Sequence, residues 1–133
     1  FIFRDCGAIP IASAKEDPVL MEQAFAEVST ALSNGELVAI FPEGGITRDG
    51  ELQAFRPGIS RILSSNPVPV IPLALSGLWG SYFSRIDGGA MTTPFRRGIF
   101  SPVGLRVGVA IAPALATPAH LHDTVLALRG SKK

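Results

Sequence analysis

The chain has 133 residues, 47% of them hydrophobic, which is enough for one compact domain with a core and too few for two ordinary ones. Twelve Lys and Arg against eleven Asp and Glu leave a net charge of +1, which excludes a basic field for nucleic acid and an acidic interaction tail. The single cysteine, Cys6, excludes an internal disulfide framework and reads as a small buried thiol, and no apolar run reaches the roughly 18 to 20 residues of a membrane-crossing helix.

The sequence opens at Phe1 without a methionine and passes almost directly into apolar residues, "FIFRDCGAIPI", as expected of a chain entered in mid-domain. Ala8 to Ile11 reads as a strand or its end. The next stretch, "EDPVLMEQAFAEVSTALSNGE", predicts a helix: Asp17 is the N-cap, Pro18 occupies the first turn, and Leu20, Ala24, Phe25, Val28 and Leu32 recur at helical spacing before Gly35 closes it. Leu37 to Phe41 is a continuous apolar run of the kind found in parallel strands covered on both faces. "RPGISRILSS" offers a short helix that Pro67 ends.

Residues 68 to 77, "VPVIPLALSG", read as a second buried strand, with Pro69 and Pro72 pointing to an edge or irregular position because each removes a ladder donor. "LRVGVAIAP" near residue 105 is a third strand. Thr117-Pro118 then starts a helix running toward Leu128, before Gly130 and a basic tail. This order predicts a single α/β domain over residues 1–133, with a mainly parallel sheet flanked by helices. The connection from Leu78 to Gly104, rich in Gly, aromatics and arginine, is long enough to invite a functional reading.

The apolar run at Leu37 stops in "FPEGGITRDGEL", residues 41 to 52. Ligands in open parallel sheets settle beyond the carboxyl ends of strands, which is where this segment falls. Gly44, Gly45 and Gly50 permit close approach to the backbone, and Arg48 or Arg56 suits a phosphate through charge-assisted hydrogen bonds. Glu43 repels phosphate, so its presence suggests an acceptor that also carries hydroxyls. Gly, Pro and Asp are equally the residues of an ordinary turn, and composition leaves both readings open.

"FPEGGITRDG" resembles the F-P-E-G motif of the glycerophosphate and lysophospholipid acyltransferase family, the group that includes 1-acylglycerol-3-phosphate acyltransferase. "VPVIPLAL", residues 68 to 75, is similar to the family's following proline-bearing strand, and "GAIPI", residues 7 to 11, to its G-x-x-x-I block. The later stretch "GSYFSRIDGG…RRGIF…LRVGVAIAP" resembles bacterial members of the 2-acylglycerophosphoethanolamine acyltransferase type. The resemblance implies an acyltransferase fold and transfer of an acyl group from an acyl thioester, acyl-CoA or acyl-ACP, to a hydroxyl of a lysophospholipid or glycerol phosphate. It implies no bound cofactor, no nucleic acid partner, and work at the cytoplasmic side of a membrane.

By matched position, Phe41, Pro42, Glu43 and Gly44 carry the acceptor-binding loop, and Gly45, Thr47 and Arg48 extend it. "FRPG", residues 55 to 58, is similar to the family's F-K-x-G stretch and adds Arg56. The family's base is the histidine of H-x-x-x-x-D, because a hydroxyl attacks poorly until its proton is taken. The histidines here are His120 and His122, with Val125 and Ala127 five positions on, so that motif is absent from these residues and is expected upstream of Phe1. Two further departures stand out: Ser13, with Lys15 nearby, replaces the arginine that often closes the first block, and Ile46 stands where the F-P-E-G block commonly has arginine.

His120 and His122 fall on different faces of a helix, which suits capping or solvent better than a shared metal. Trp79, Tyr82, Phe83, Phe95 and Phe100, interleaved with Arg85, Arg96 and Arg97, read either as a membrane surface or as a loop packing its own aromatics. A phosphate-binding module without catalysis, or a membrane-surface module, is the alternative to an enzyme.

Overall fold

The computed structural model describes residues 7–11, 16–82, 84–86, 88 and 102–131. Cys6, Ser13, Lys15, Phe83, Phe95, Arg96, Arg97 and Phe100 lie outside the described residues. The chain divides into two compact units, Phe1–Ile40 with Arg61–Val68, and Phe41–Ser60 with Pro69–Lys133.

The first unit is built on α1, Pro18–Ser33. Its start is as expected: the Asp17 carboxylate accepts the Leu20 N–H at 2.9 Å, satisfying one of the orphan donors of the first turn, and Pro18 sits where no donor is needed. At the other end the Gly35 N–H reaches the Leu32 carbonyl and the Glu36 N–H reaches Ala31, the paired closure of a helix whose next residue is left-handed. Helix α2, Gly58–Ser65, contributes Arg61–Ser65 to this unit. Ala24, Val28 and Leu63 are buried.

Arg61 forms a two-pronged pair with Glu22, Nη1 donating to Oε1 at 2.9 Å and Nη2 to Oε2, and its guanidinium lies 4.1 Å over the Phe25 ring. Hydrogen bonding to Arg61 holds the Glu22 carboxyl below its ordinary pKa of 4.5. A carboxyl depressed in the folded state stabilises at pH above its unfolded value, and that contribution disappears as pH falls through the folded one. Both side chains are more than two-fifths exposed, so solvent and salt screen the pair. Glu22→Gln is therefore expected to lower the melting temperature slightly at neutral pH, and not at all once wild-type Glu22 is protonated. Thermal melts across a pH series at low and high salt read this directly.

In the second unit β1, Leu73–Ser76, pairs with β2, Gly104–Val107, in the register Leu73↔Val107 to Ser76↔Gly104. The pairing is antiparallel, which corrects the mainly parallel sheet expected from the sequence. An apolar run reports that a strand is buried, but not which way its neighbour runs. Beyond Leu73 the ladder resumes at Val70↔Ile111, with both N–H···O bonds made. Two residues lie between Val70 and Leu73 and three between Val107 and Ile111, so one extra residue is accommodated on the strand that follows Val107, a β-bulge. The irregularity read from Pro69 and Pro72 is thus present.

Helix α3, Pro118–Arg129, packs on both strands. It begins on Thr117, whose hydroxyl accepts the His120 N–H at 3.2 Å. Ala74, Ala116 and Leu121 are buried, and Arg106, paired with Ala74, donates to the Leu128 carbonyl. Leu73, Leu75, Leu105 and Val107 point the other way and are 41 to 61% exposed, so among the described residues the sheet is covered on one face rather than two.

Two strand expectations fail. Ala8 to Ile11 and Leu37 to Phe41 have no ladder partner among the described residues, and Leu37 is 97% and Phe41 80% exposed. The apolar run supplies the side chains of a buried strand, but a strand exists only by its neighbour's hydrogen bonds.

Candidate functional site: the loop of residues 41 to 56

The loop lies wholly in the second unit and is tied at its neck. The Gly44 N–H donates to the Phe41 carbonyl at 3.1 Å, closing a turn over Pro42 and Glu43, and the Arg56 N–H donates to the Pro42 carbonyl at 2.9 Å. Glu43 joins the two sides twice: its Oε2 accepts the Gln53 N–H at 2.7 Å, and its carbonyl accepts Arg56 Nε at 3.2 Å. Gly44 has a φ of 67°, and a Cβ there would lie 2.6 Å from Arg56 Nε. The arginine stem therefore lies directly over bare backbone, which only glycine at that left-handed position allows.

The tip is a separate knot. The Thr47 hydroxyl donates to Asp49 Oδ1 at 2.9 Å and accepts the Gly50 N–H at 3.1 Å, while Asp49 Oδ1 also accepts the Glu51 N–H. Gly50 is buried, with φ 81°, and the Trp79 ring occupies the space a Cβ would need. From α3, Arg129 donates to the Gly50 carbonyl at 3.0 Å and to Glu51 Oε2 at 2.9 Å, and the His122 ring meets Phe55 edge-on at 5.4 Å.

These contacts assign the residues singled out in the sequence. Phe41, Pro42, Glu43, Gly44 and Arg56 form the neck; Thr47 shapes the tip, which includes Arg48; Gly45 lies between neck and tip; Gly45 and Arg48 are both exposed. Arg48 makes no ion pair or hydrogen bond among the described residues, and Arg56 spends only its Nε, so two guanidinium groups remain able to meet an anion. One oxygen of Glu43 is committed to Gln53, which leaves the other open to a hydroxyl. Trp79 is half-buried against Gly50, Tyr82 is 39% exposed, and Arg85 is half-buried, while Arg96 and Arg97 lie outside the described residues.

The sequence reading missed Gln53, Arg129 and the packing of His122. Gln53 acts through its backbone N–H, which leaves no trace in residue type, and Arg129 is nearly eighty positions from the loop it touches. Elsewhere, a cleft of about 240 Å³ in the first unit is lined by Phe25, Val28, Ile62 and Asn66 with Glu22 and Arg61, whose charges cancel. Among the described residues no cluster of three or more His, Cys, Asp or Glu is arranged to hold a metal, and no helix is long and apolar enough to cross a membrane.

Guanidinium and carboxylate groups are the side chains whose chemistry suits hydrogen bonding to an anion and to a hydroxyl, respectively. The acyltransferase family model matches residues 1–76, more than half of the chain, and the chain belongs to that family. The match takes in the whole 41–56 loop and β1, and ends before Trp79, β2 and α3. Neither the curated proteins nor the solved structures contain a match to the chain.

Proposed function

We propose that the protein moves an acyl group from an acyl thioester, acyl-CoA or acyl-ACP, to a hydroxyl of a lysophospholipid or glycerol phosphate, and that the 41–56 loop holds the acceptor's polar head. Family membership makes it a transferase of acyl groups. The observation that carries the finer reading is the pairing, on one braced loop, of unspent guanidinium donors on Arg48 and Arg56 with a half-committed carboxylate on Glu43. The guanidiniums suit the phosphate and the carboxylate suits a neighbouring hydroxyl.

In the reaction the acceptor hydroxyl oxygen attacks the thioester carbonyl, the C–O ester bond forms, the C–S bond breaks, and the thiol leaves. The hydroxyl proton passes to a general base. No H-x-x-x-x-D motif occurs in residues 1–133, and we assign that base to chain beyond them. The acceptor is a membrane lipid or its precursor, which places the protein at the cytoplasmic face of a membrane, with Trp79, Arg96 and Arg97 as candidate headgroup contacts.

Glu43→Gln tests the assignment in the full-length protein. The amide retains an oxygen to accept the Gln53 N–H, so the fold is expected to hold while turnover of the acceptor falls by roughly tenfold, the scale of one charge-assisted hydrogen bond. Unchanged turnover would remove Glu43 from the site. A phosphate-binding module without chemistry is the second reading, favoured by the missing histidine motif. It predicts glycerol phosphate binding with no thioester consumption in the full-length protein.

A further inference from the structure

We propose that Arg129 is a positioning residue for the acceptor loop, clamping its tip from helix α3 so that the neck at Glu43 and Arg56 is presented in one conformation. The proposal rests on the acceptor-binding reading of that loop. Arg129 lies outside the residues that match the family, at the last turn of α3. Its side chain is only 11% exposed and reaches two successive residues of the tip, the Gly50 carbonyl at 3.0 Å and the Glu51 carboxylate at 2.9 Å.

A surface ion pair would hold nothing, because two solvated side chains exchange partners freely. Arg129 differs in having a side chain largely withdrawn from solvent, in grasping a backbone carbonyl as well as a carboxylate, and in doing so with a planar fork that fixes direction. Its Nε has no hydrogen-bond partner among the described residues, so the remaining donors must outweigh that loss. The grip falls on Gly50, which also lies against the Trp79 ring, so the tip is held by both an indole and a guanidinium. From there the chain runs through Glu51 to Gln53, whose N–H orients the Glu43 carboxylate, and on to Arg56. Arg129 thus reaches the two groups assigned to the acceptor without touching it.

The test uses the full-length protein, with kinetics and with fluorine NMR of fluorotryptophan at Trp79, its resonance assigned by loss in Trp79→Phe. Arg129→Met is expected to raise the acceptor KM about tenfold, to leave the thioester KM within about twofold, and to shift the Trp79 resonance; Arg129→Lys recovers part of each. Glu51→Gln, at an exposed position, takes the charge from the carboxylate half of the grip and leaves only a neutral acceptor, without disturbing α3, and should move the same quantities less. A fall in kcat with both KM values unmoved would mean that Arg129 only supports the fold, and would overturn the proposal. An unchanged acceptor KM in Arg129→Met and Glu51→Gln, alongside a raised one in Arg56→Ala, would overturn it too while leaving the loop's function standing. If Arg56→Ala also changes nothing, the acceptor reading fails and the clamp's role falls with it.

Discussion

Gly50→Ala is expected to destabilise the second unit by about 3 kcal/mol, combining a left-handed backbone that resists a Cβ with overpacking against a ring. The new methyl would meet Trp79 Cδ2 at 2.6 Å, with Cε2 and Cγ at 2.9 Å. An indole cannot yield as the end of a flexible side chain can, so either Trp79 leaves its place or the turn opens. Either movement disturbs the Gly50 carbonyl that Arg129 holds and the N–H that Thr47 accepts. Gly45→Ala is the internal control: no atom lies within 4 Å of its added Cβ, and it should fall within about 0.5 kcal/mol of wild type. Urea unfolding of both variants decides the matter, and equal midpoints would show that Trp79 does not press on the loop.

Arg56→Ala in the full-length protein is expected to lower kcat/KM for the phosphate-bearing acceptor by about ten- to a hundredfold, the range for losing a hydrogen bond to a charged group. Two effects add. The guanidinium available to the phosphate disappears, and so does the Nε bond that closes the neck onto the Glu43 carbonyl. Arg56→Lys separates them, since an ammonium keeps the charge but not the fork that reaches Glu43 and an anion together. Arg48, which has no partner among the described residues to lose, should show only the first effect. A normal Arg56→Ala beside an impaired Arg48→Ala would move the phosphate to Arg48.

Much of the local structure could be read along the chain because it is written in short-range chemistry. Asp17, Pro18 and Gly35 bound one helix, and Thr117, Pro118 and Gly130 another, each through contacts within a few residues. Direction and partnership were not legible. Leu37 to Phe41 carries the composition of a buried strand yet stands exposed, and the strands that do pair run antiparallel, since hydrogen-bonding neighbours are chosen by chain far away. The loop's residues were recognisable from "FPEGG" and "FRPG", whereas its bracing was not. Gln53 contributes a backbone group that any residue has, and nothing near Arg129 in sequence marks it as the partner of Gly50.

The most direct measurement is a structure of the full-length protein with glycerol 3-phosphate bound. The account predicts the phosphate within hydrogen-bonding reach of the Arg56 or Arg48 guanidinium and a hydroxyl turned toward the Glu43 carboxylate. A phosphate held elsewhere, with residues 41 to 56 empty, would contradict it.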